Sequence, residues 1–396
     1  MPFLSTFAII FVMEENIRSI KYGGITSPEG FTAGAVYAGV KSHKREKPDV
    51  ALLISDRPAA CAAMFTRNAF CGAPVTLGRK IAERGVTRGV VLNSGNANAG
   101  TGQAGIDGAL SVERYAEGLL GFEEDSLFVS STGVIGEAFP TDKVKDAVRQ
   151  IVPRLSKSGG HEAARAIMTT DRYIKEEAYE LTLSSGKVKI GVMAKGSGMI
   201  HPNMATVLCF ITTDACLDPS YMRSMLKNAC DISFNLLSVD GDTSSNDTLL
   251  MMANGASGVA PESEDDRQAI EHAINATLLD MSFRIASDGE GASKTTIVHV
   301  KGAPDDIEAR RIARGVVSSS SVKAALGHGL LSEALVLSAA GSVASTADFS
   351  DVSCRIETDG VMTIVDITFK QGSGSAEAFG CDLTNEYIRL NSFYRT

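Results

Sequence analysis

The stretch KGSGMIHPNMATVLCF, residues 195–210, opens on a lysine and glycines, passes a proline and closes in an apolar run. The run VLCFITT (207–213) is apolar and β-branched enough to be a buried strand. Before it, ELTLSSGKVKIGVMA (180–194) reads as a hairpin turning near Ser185-Gly186. The glycines do not spell a phosphate cradle, because Lys195 precedes them and a strand-like run, not a helix start, follows. A glycine-rich turn between two strands is the reading that spacing favours. Thr206 sits where that turn gives way to the strand. A threonine hydroxyl is a weak nucleophile without an adjacent base. Were the Ala205–Thr206 bond cut, the freed α-amine, with a pKa of roughly 7.7–8.0, would share a residue with the hydroxyl. Base and nucleophile would then be prepositioned near neutral pH. A small preceding residue and a Gly- and Pro-bearing loop suit a cut made by the threonine's own hydroxyl. From residue chemistry alone an inert strand threonine is the stronger reading, since Thr favours strands.

Outward from this stretch, apolar runs alternate with helical patterns. Further strands are expected at VALLIS (50–55), GVVLN (89–93), SLFVSS (126–131), TTIVHV (295–300) and MTIVDITF (362–369). From Thr141, the positions Val144, Ala147, Val148, Ile151 and Val152 have helical spacing, and Pro153 ends or kinks that helix. Asp218-Pro219 reads as an N-cap with proline at the first helical position. Ser263 followed by acidic residues opens another helix, with Ile270, Ala273, Ile274 and Leu278 on one face. No repeat and no Pro/Ser/Gly-rich linker divides the 396 residues. These patterns predict one interlocked α/β body, not two beads.

Composition narrows the partners. A net charge of −9 without long Lys/Arg runs does not advertise a surface for nucleic acid or anionic lipid. Aromatic residues make up 6% of the chain and Trp is absent, which leaves little for base-stacking platforms. A small molecule is the expected partner. The seven cysteines are odd in number, scattered and lack a C-x-x-C pair, a pattern suited to reduced thiols in the cytosol. No histidine or cysteine cluster has zinc-ligand spacing, so no metal is expected. The run PFLSTFAIIFVM (2–13) is too short to span a bilayer and lacks the flanks of a signal peptide. It reads as an extended strand, or as leader sequence before a start at Met13, and a cytoplasmic protein is expected.

Four loops are dense in small polar residues: NSGNANAGTG (93–102), SSTGVIG (130–136), SVDGDTSSNDT (238–248) and SDGEGASK (287–294). Turn chemistry alone explains each, although binding sites are commonly built from such loops. Taken with the Thr206 motif, they have a specific likeness. K-G-S-G-M-I-x-P-N-M-A-T resembles the processing site of the ornithine acetyltransferase/glutamate N-acetyltransferase family, ArgJ. The resemblance runs in family order from EGFTAGAVYAGVK (29–41) through these loops and MTTD (168–171) to DLTNEYIRLNSFYRT (382–396).

That resemblance implies a self-cleaving N-terminal-nucleophile fold of the DmpA/ArgJ-like kind, α/β (α+β), with sheets sandwiched with helices. It implies cleavage between Ala205 and Thr206 into an α chain (1–205) and a β chain (206–396) that stay associated, as a heterotetramer of two α and two β chains. The implied reaction moves the acetyl group of N2-acetyl-L-ornithine to L-glutamate through an acetyl-Thr206 intermediate. No cofactor is implied, and acetyl-CoA is left open as a second donor. Thr132 and Gly133 would form the oxyanion hole, and Thr169, Thr170, Lys195, Thr206, Glu290, Asn391 and Thr396 would contact substrate. Lys195 suits a carboxylate and Glu290 an ammonium; without the resemblance, either reads as a solvated surface charge. The chain departs from the family pattern at Arg172 and Ile174 after MTTD, at His201, and at Gly100 where a cysteine is frequent, which bears on substrate fit. Two rival readings are an amidase or aminopeptidase of the related self-cleaving fold, and a non-catalytic amino-acid-binding protein.

Overall fold

The computed structural model describes residues 16–40, 47–201 and 207–392. The N-terminal run 2–13 and the expected site residues Ala205, Thr206 and Thr396 lie outside the described residues. In chain order the strands are β1 (Ile17–Ser19), β2 (Phe31–Val36), β3 (Val50–Phe65), β4 (Val86–Asn96), β5 (Leu127–Val134), β6 (Lys175–Leu183) and β7 (Gly186–Lys195). There follow β8 (Leu208–Thr213), β9 (Leu237–Ser238), β10 (Thr248–Ala253), β11 (Thr295–Ala303), β12 (Ser353–Asp359), β13 (Met362–Thr368) and β14 (Gly374–Cys381). The helices are α1 (Ala73–Arg84), α2 (Gly102–Leu120), α3 (Thr141–Ile151), α4 (Gly160–Ala166), α5 (Pro219–Ile232) and α6 (Glu264–Ser287). The remainder are α7 (Asp306–Ser318), α8 (Ser320–Gly327), α9 (Glu333–Val343) and α10 (Asn385–Asn391).

The run after residue 206 is a strand at the centre of the molecule. A nine-stranded sheet has the order β1-β6-β7-β8-β10-β3-β4-β5, with β2 also paired to β3. β8 lies antiparallel to β7 and parallel to β10, and β10 returns to β3. Strands from after residue 206 are thus inserted between strands from before it. Every residue of β8 and β10 is buried, the signature of strands covered on both faces. Their alternation divides two cores. Cys209, Ile211, Leu249 and Met251 join α5 and α6 on one face, and Leu208, Phe210, Leu250 and Met252 join α4 on the other.

The second sheet, of order β12-β13-β11-β14-β9, completes the layering. Ile297 of β11 and Phe379 of β14 share a core with α6, which places that helix between the sheets. The opposite face, including Val298, Val365 and Ala378, packs on α7 and α9. The expected caps form: Asp218 accepts from Ser220 and Tyr221 N–H, and Ser263 and Asp266 make a reciprocal capping box. The hairpin turns with Leu183 opposite Gly186.

Three segments differ from expectation. Residues 94–96 and 132–134 extend β4 and β5 beyond the expected strands, although their Ser, Asn, Thr and Gly content reads as loop. α2 has no counterpart among the expected helices because glycines mask its period, yet Gly105, Ala109, Val112 and Ala116 are buried on one face.

Candidate active site

The ends of β5 and β7 meet loops from the rest of the chain around one cavity of about 270 Å³. Thr132 and Gly133 reach it from β5, Lys195 from the end of β7, Thr169 and Thr170 from the segment before β6, Glu290 from beyond α6 and Asn391 from α10. The structure therefore brings together all the expected oxyanion and substrate residues that lie within the described residues. Sequence spacing does not show this, since Thr132 and Asn391 lie in distant parts of the 396-residue chain.

Backbone geometry explains the glycines at two points. Gly133 has φ 131°, at an irregularity where β4 and β5 shift register between Gly95 and Asn96. A Cβ there would lie 2.3 Å from the Gly95 carbonyl carbon, so only glycine allows this approach. A Cβ on Gly198 would lie 2.3 Å from Glu290 Oε2, so the bare backbone of KGSGM gives the carboxylate its place. The next residue, Met199, holds φ 57°, a left-handed conformation costly for a bulky side chain. Asp240 fixes it by accepting from the N–H groups of Met199 (2.6 Å) and Ile200 (2.9 Å).

The cavity carries both signs of charge. Lys195 is 8% exposed and its Nζ donates to Thr132 Oγ1 at 3.4 Å. Burial lowers its pKa, while Asp171, Asp247 and Glu290 oppose that shift. Glu290 accepts from Asn391 Nδ2 at 2.9 Å, and its own N–H donates to the Ser197 carbonyl at 2.9 Å.

Behind the wall lies an ion cluster that no sequence pattern disclosed. Lys175 Nζ, fully buried, donates to Asp171 Oδ1 (2.8 Å) and Asp288 Oδ2 (2.6 Å). Asp171 also accepts from the N–H groups of Gly196 (2.8 Å) and Thr169 (3.0 Å). Asp288 O accepts from Ser197 Oγ at 2.7 Å. The cluster thus ties Thr169, the loop after Lys195 and the approach to Glu290 into one unit. Burial alone would raise the Asp171 carboxyl, but Lys175 and Lys195 outweigh it and hold it below the usual carboxylate range. Arg172, one of the departures, donates from its N–H and Nε to Asp288, and the cavity lining includes neither it nor Ile174.

Beside the main cavity, Thr132, Lys195, Val207 and Asp247 line a chamber of about 20 Å³, roughly the space of one water. Among the described residues, the Asp247 Oδ2 atom is buried without a hydrogen-bond partner. Burial raises its pKa well above the usual value. Asp240, Asp247 and Tyr387 were not singled out in the sequence, because an aspartate in a Gly/Ser loop looks like turn chemistry. His201 turns away from both spaces. Its Nδ1 lies 3.1 Å from Ser238 Oγ, and its pKa is pushed down to about 4 by burial and then by Arg314 and Lys323. Among the described residues, no group of three His, Cys, Asp or Glu side chains could hold a metal ion. Among them, too, no helix is long and apolar enough to cross a membrane.

Residues 32–365 match the model of the ArgJ family. The arginine biosynthesis bifunctional protein ArgJ of Symbiobacterium thermophilum is 41% identical over 94% of this chain and 99% of its own. That of Dehalococcoides mccartyi is 38% identical over 97% of this chain and 100% of its own. Among solved structures, the ornithine acetyltransferase of Mycobacterium tuberculosis, complexed with ornithine, is 38% identical. The match covers 48% of this chain and 100% of that one, with a TM-score of 0.44.

Proposed function

The chain belongs to the ArgJ family, and from that premise we propose that it is an acetyltransferase of arginine biosynthesis, passing acetyl from N2-acetyl-L-ornithine to L-glutamate. The observation that carries the reading is the convergence of Lys195 and Glu290 with Thr132 and Gly133 on one small cavity. A cation and a carboxylate facing one space suit an amino acid that brings both a carboxylate and an ammonium.

The chain first cuts itself between Ala205 and Thr206, giving an α chain, 1–205, and a β chain, 206–396. The Thr206 hydroxyl then attacks the acetyl carbonyl carbon and its proton passes to the freed α-amine. Thr132 and Gly133 donate to the oxyanion. The C–N bond breaks, the ornithine amine takes the proton and leaves, and the acetyl group rests on Thr206 as an ester. The amine of glutamate attacks that ester and leaves as N-acetyl-L-glutamate, returning the proton to the hydroxyl. Lys195 holds the substrate α-carboxylate, and Glu290, steadied by Asn391, holds the side-chain ammonium of ornithine. Thr169, Thr170 and Thr396 complete the contacts. Nucleophile and base both come from residue 206, and the scheme calls on no metal or prosthetic group. Acetyl-CoA stays open as a second donor, and two αβ pairs assemble as a heterotetramer in the cytoplasm. For these last points the family resemblance is the support.

Intact-mass analysis of the purified protein is expected to give two fragments that meet at 205/206. Thr206→Ala is expected to leave one uncut chain with no transfer. A whole chain that transfers acetyl, or acetate release exceeding N-acetylglutamate formation, would count against the scheme.

A further inference from the structure

His201 borders a second cavity, of about 760 Å³, whose wall carries Arg310, Arg311 and Arg314 of α7 and the hydroxyls of Ser318 and Ser319 at the α7–α8 junction. In a chain of net charge −9, three guanidinium groups within five residues of one helix mark a local reversal of sign. The neighbouring carboxylates are already hydrogen-bonded, and one of them, Glu308, is ion-paired with Arg311 itself. Glu308 accepts from the N–H groups of Ser345 (2.6 Å), Thr346 (2.9 Å) and Ala347 (3.2 Å) as well as from Arg311 (2.9 Å). Asp231, also on the wall, accepts from Lys227 (3.1 Å) and Asn235 (2.9 Å). Arg310 makes no ion pair among the described residues. Burial first, and then Arg314 and Lys323, depress the pKa of His201 on the same wall.

We propose that this cavity binds a phosphate-bearing small molecule, with the phosphates held by Arg310, Arg311 and Arg314 and by the Ser319 hydroxyl. Guanidinium groups match phosphate oxygens two at a time. The volume falls in the range of small-molecule sites, roughly 300–1,000 Å³, and gives a nucleotide-sized body room beyond its phosphates. Leu236 and Val343 supply apolar wall for that body.

The site also touches the catalytic cavity through two ends of one residue. The His201 ring lines the arginine cavity, while its carbonyl accepts from Thr243 Oγ1 at 2.9 Å. Ile200 pairs with Thr243, and the next residue, Ser244, lines the catalytic cavity. Two kinds of ligand present the same phosphates: a carrier such as coenzyme A, and a free nucleotide acting as an effector.

Isothermal titration calorimetry of the full protein with ADP, coenzyme A, inorganic pyrophosphate and adenosine tests the site. The three phosphorylated probes are expected to bind, with affinity falling as salt rises, and adenosine at least about tenfold more weakly. Arg310→Glu, and Arg310→Ala with Arg311→Ala, are expected to weaken ADP binding at least about tenfold. The melting curve of Arg310→Glu, and acetyl transfer measured without ADP in both variants, should stay unchanged. Coenzyme A binding tighter than ADP assigns the site to a carrier, and equal affinity assigns it to the nucleotide. No binding at millimolar concentration, adenosine binding as tightly as ADP, or an Arg310→Glu protein with undiminished affinity would each overturn the proposal. Loss of acetyl transfer in an otherwise binding-competent wild type would count against the acetyltransferase reading alone.

Discussion

Glu290 is placed by three neighbours: bare backbone at Gly198, the amide of Asn391 and the carbonyl of Ser197. Its charge is therefore separable from its position. Glu290→Gln keeps the shape and removes a charge-assisted bond worth about 1.5–3 kcal/mol. Steady-state kinetics of the variant should show kcat/KM for N-acetylornithine falling by about ten- to a hundredfold, with self-cleavage intact. Lys175 makes the opposite case. It is not among the residues lining the catalytic cavity, but it is the buried cation between Asp171 and Asp288. Lys175→Met leaves two buried carboxylates without it and should destabilise the fold by about 3–5 kcal/mol. Denaturant titration checks this, and an unchanged midpoint would mean that water or Arg172 compensates. Neither role could be read locally. Glu290 was named through a family motif, and Lys175 meets Asp288 across 113 residues, a pairing that only the fold creates.

Strand register gives the second sheet its pH response. In β11, His299 stands opposite Asp366 of the parallel β13 and Glu377 of the antiparallel β14. Its Nδ1 lies 3.0 Å from Asp366 and its Nε2 2.9 Å from Glu377. The Glu377 bond, then Asp366, raise the imidazole pKa despite burial. A raised folded-state pKa means the stabilisation is fully present below the unfolded value of about 6.5 and is lost as pH rises through the folded one. Melting temperature should accordingly decline from pH 6 upward, and His299→Asn should flatten that decline. In α2, Glu113 adds a slope of the same sign. It is 2% exposed and is pushed up to about 8, by burial first and then by Glu117 and Asp125. Keeping its proton in the fold costs more with each pH unit between the unfolded value, about 4.3, and the folded one. Glu113→Gln should remove that cost and raise the melting temperature at pH 7. The elements themselves differed in how openly the sequence declared them. Continuous apolar runs such as 208–213, and capped helices such as those after Asp218 and Ser263, stand out because burial and capping each demand particular residues. α2 stayed hidden, since glycine content spoke for a loop while its buried face was already helical.

At the scale of the whole chain, the nine-stranded sheet determines what the proposed cut can do. β8 and β10 contribute six registered residues each to seams with β7 and β3. Both faces of those strands feed shared cores. Fragments 1–205 and 206–396 should therefore elute as one species in size-exclusion chromatography and melt in one transition. They should part only in denaturant, as seen by mass analysis. The sequence argued for a single interlocked body from the absence of a linker, but strand order was beyond it. Order depends on contacts such as Thr248 with Phe65, which no local pattern encodes. The same insertion bears on heredity as well as on stability. A strand pair wedged between two ladders cannot slide out sideways, and pulling it free means shearing both seams together. Pieces made in one molecule should stay with that molecule for its lifetime. Mixing two finished proteins, one defective in each piece, would then restore nothing, whereas producing both in one cell would let working hybrids fold from the start.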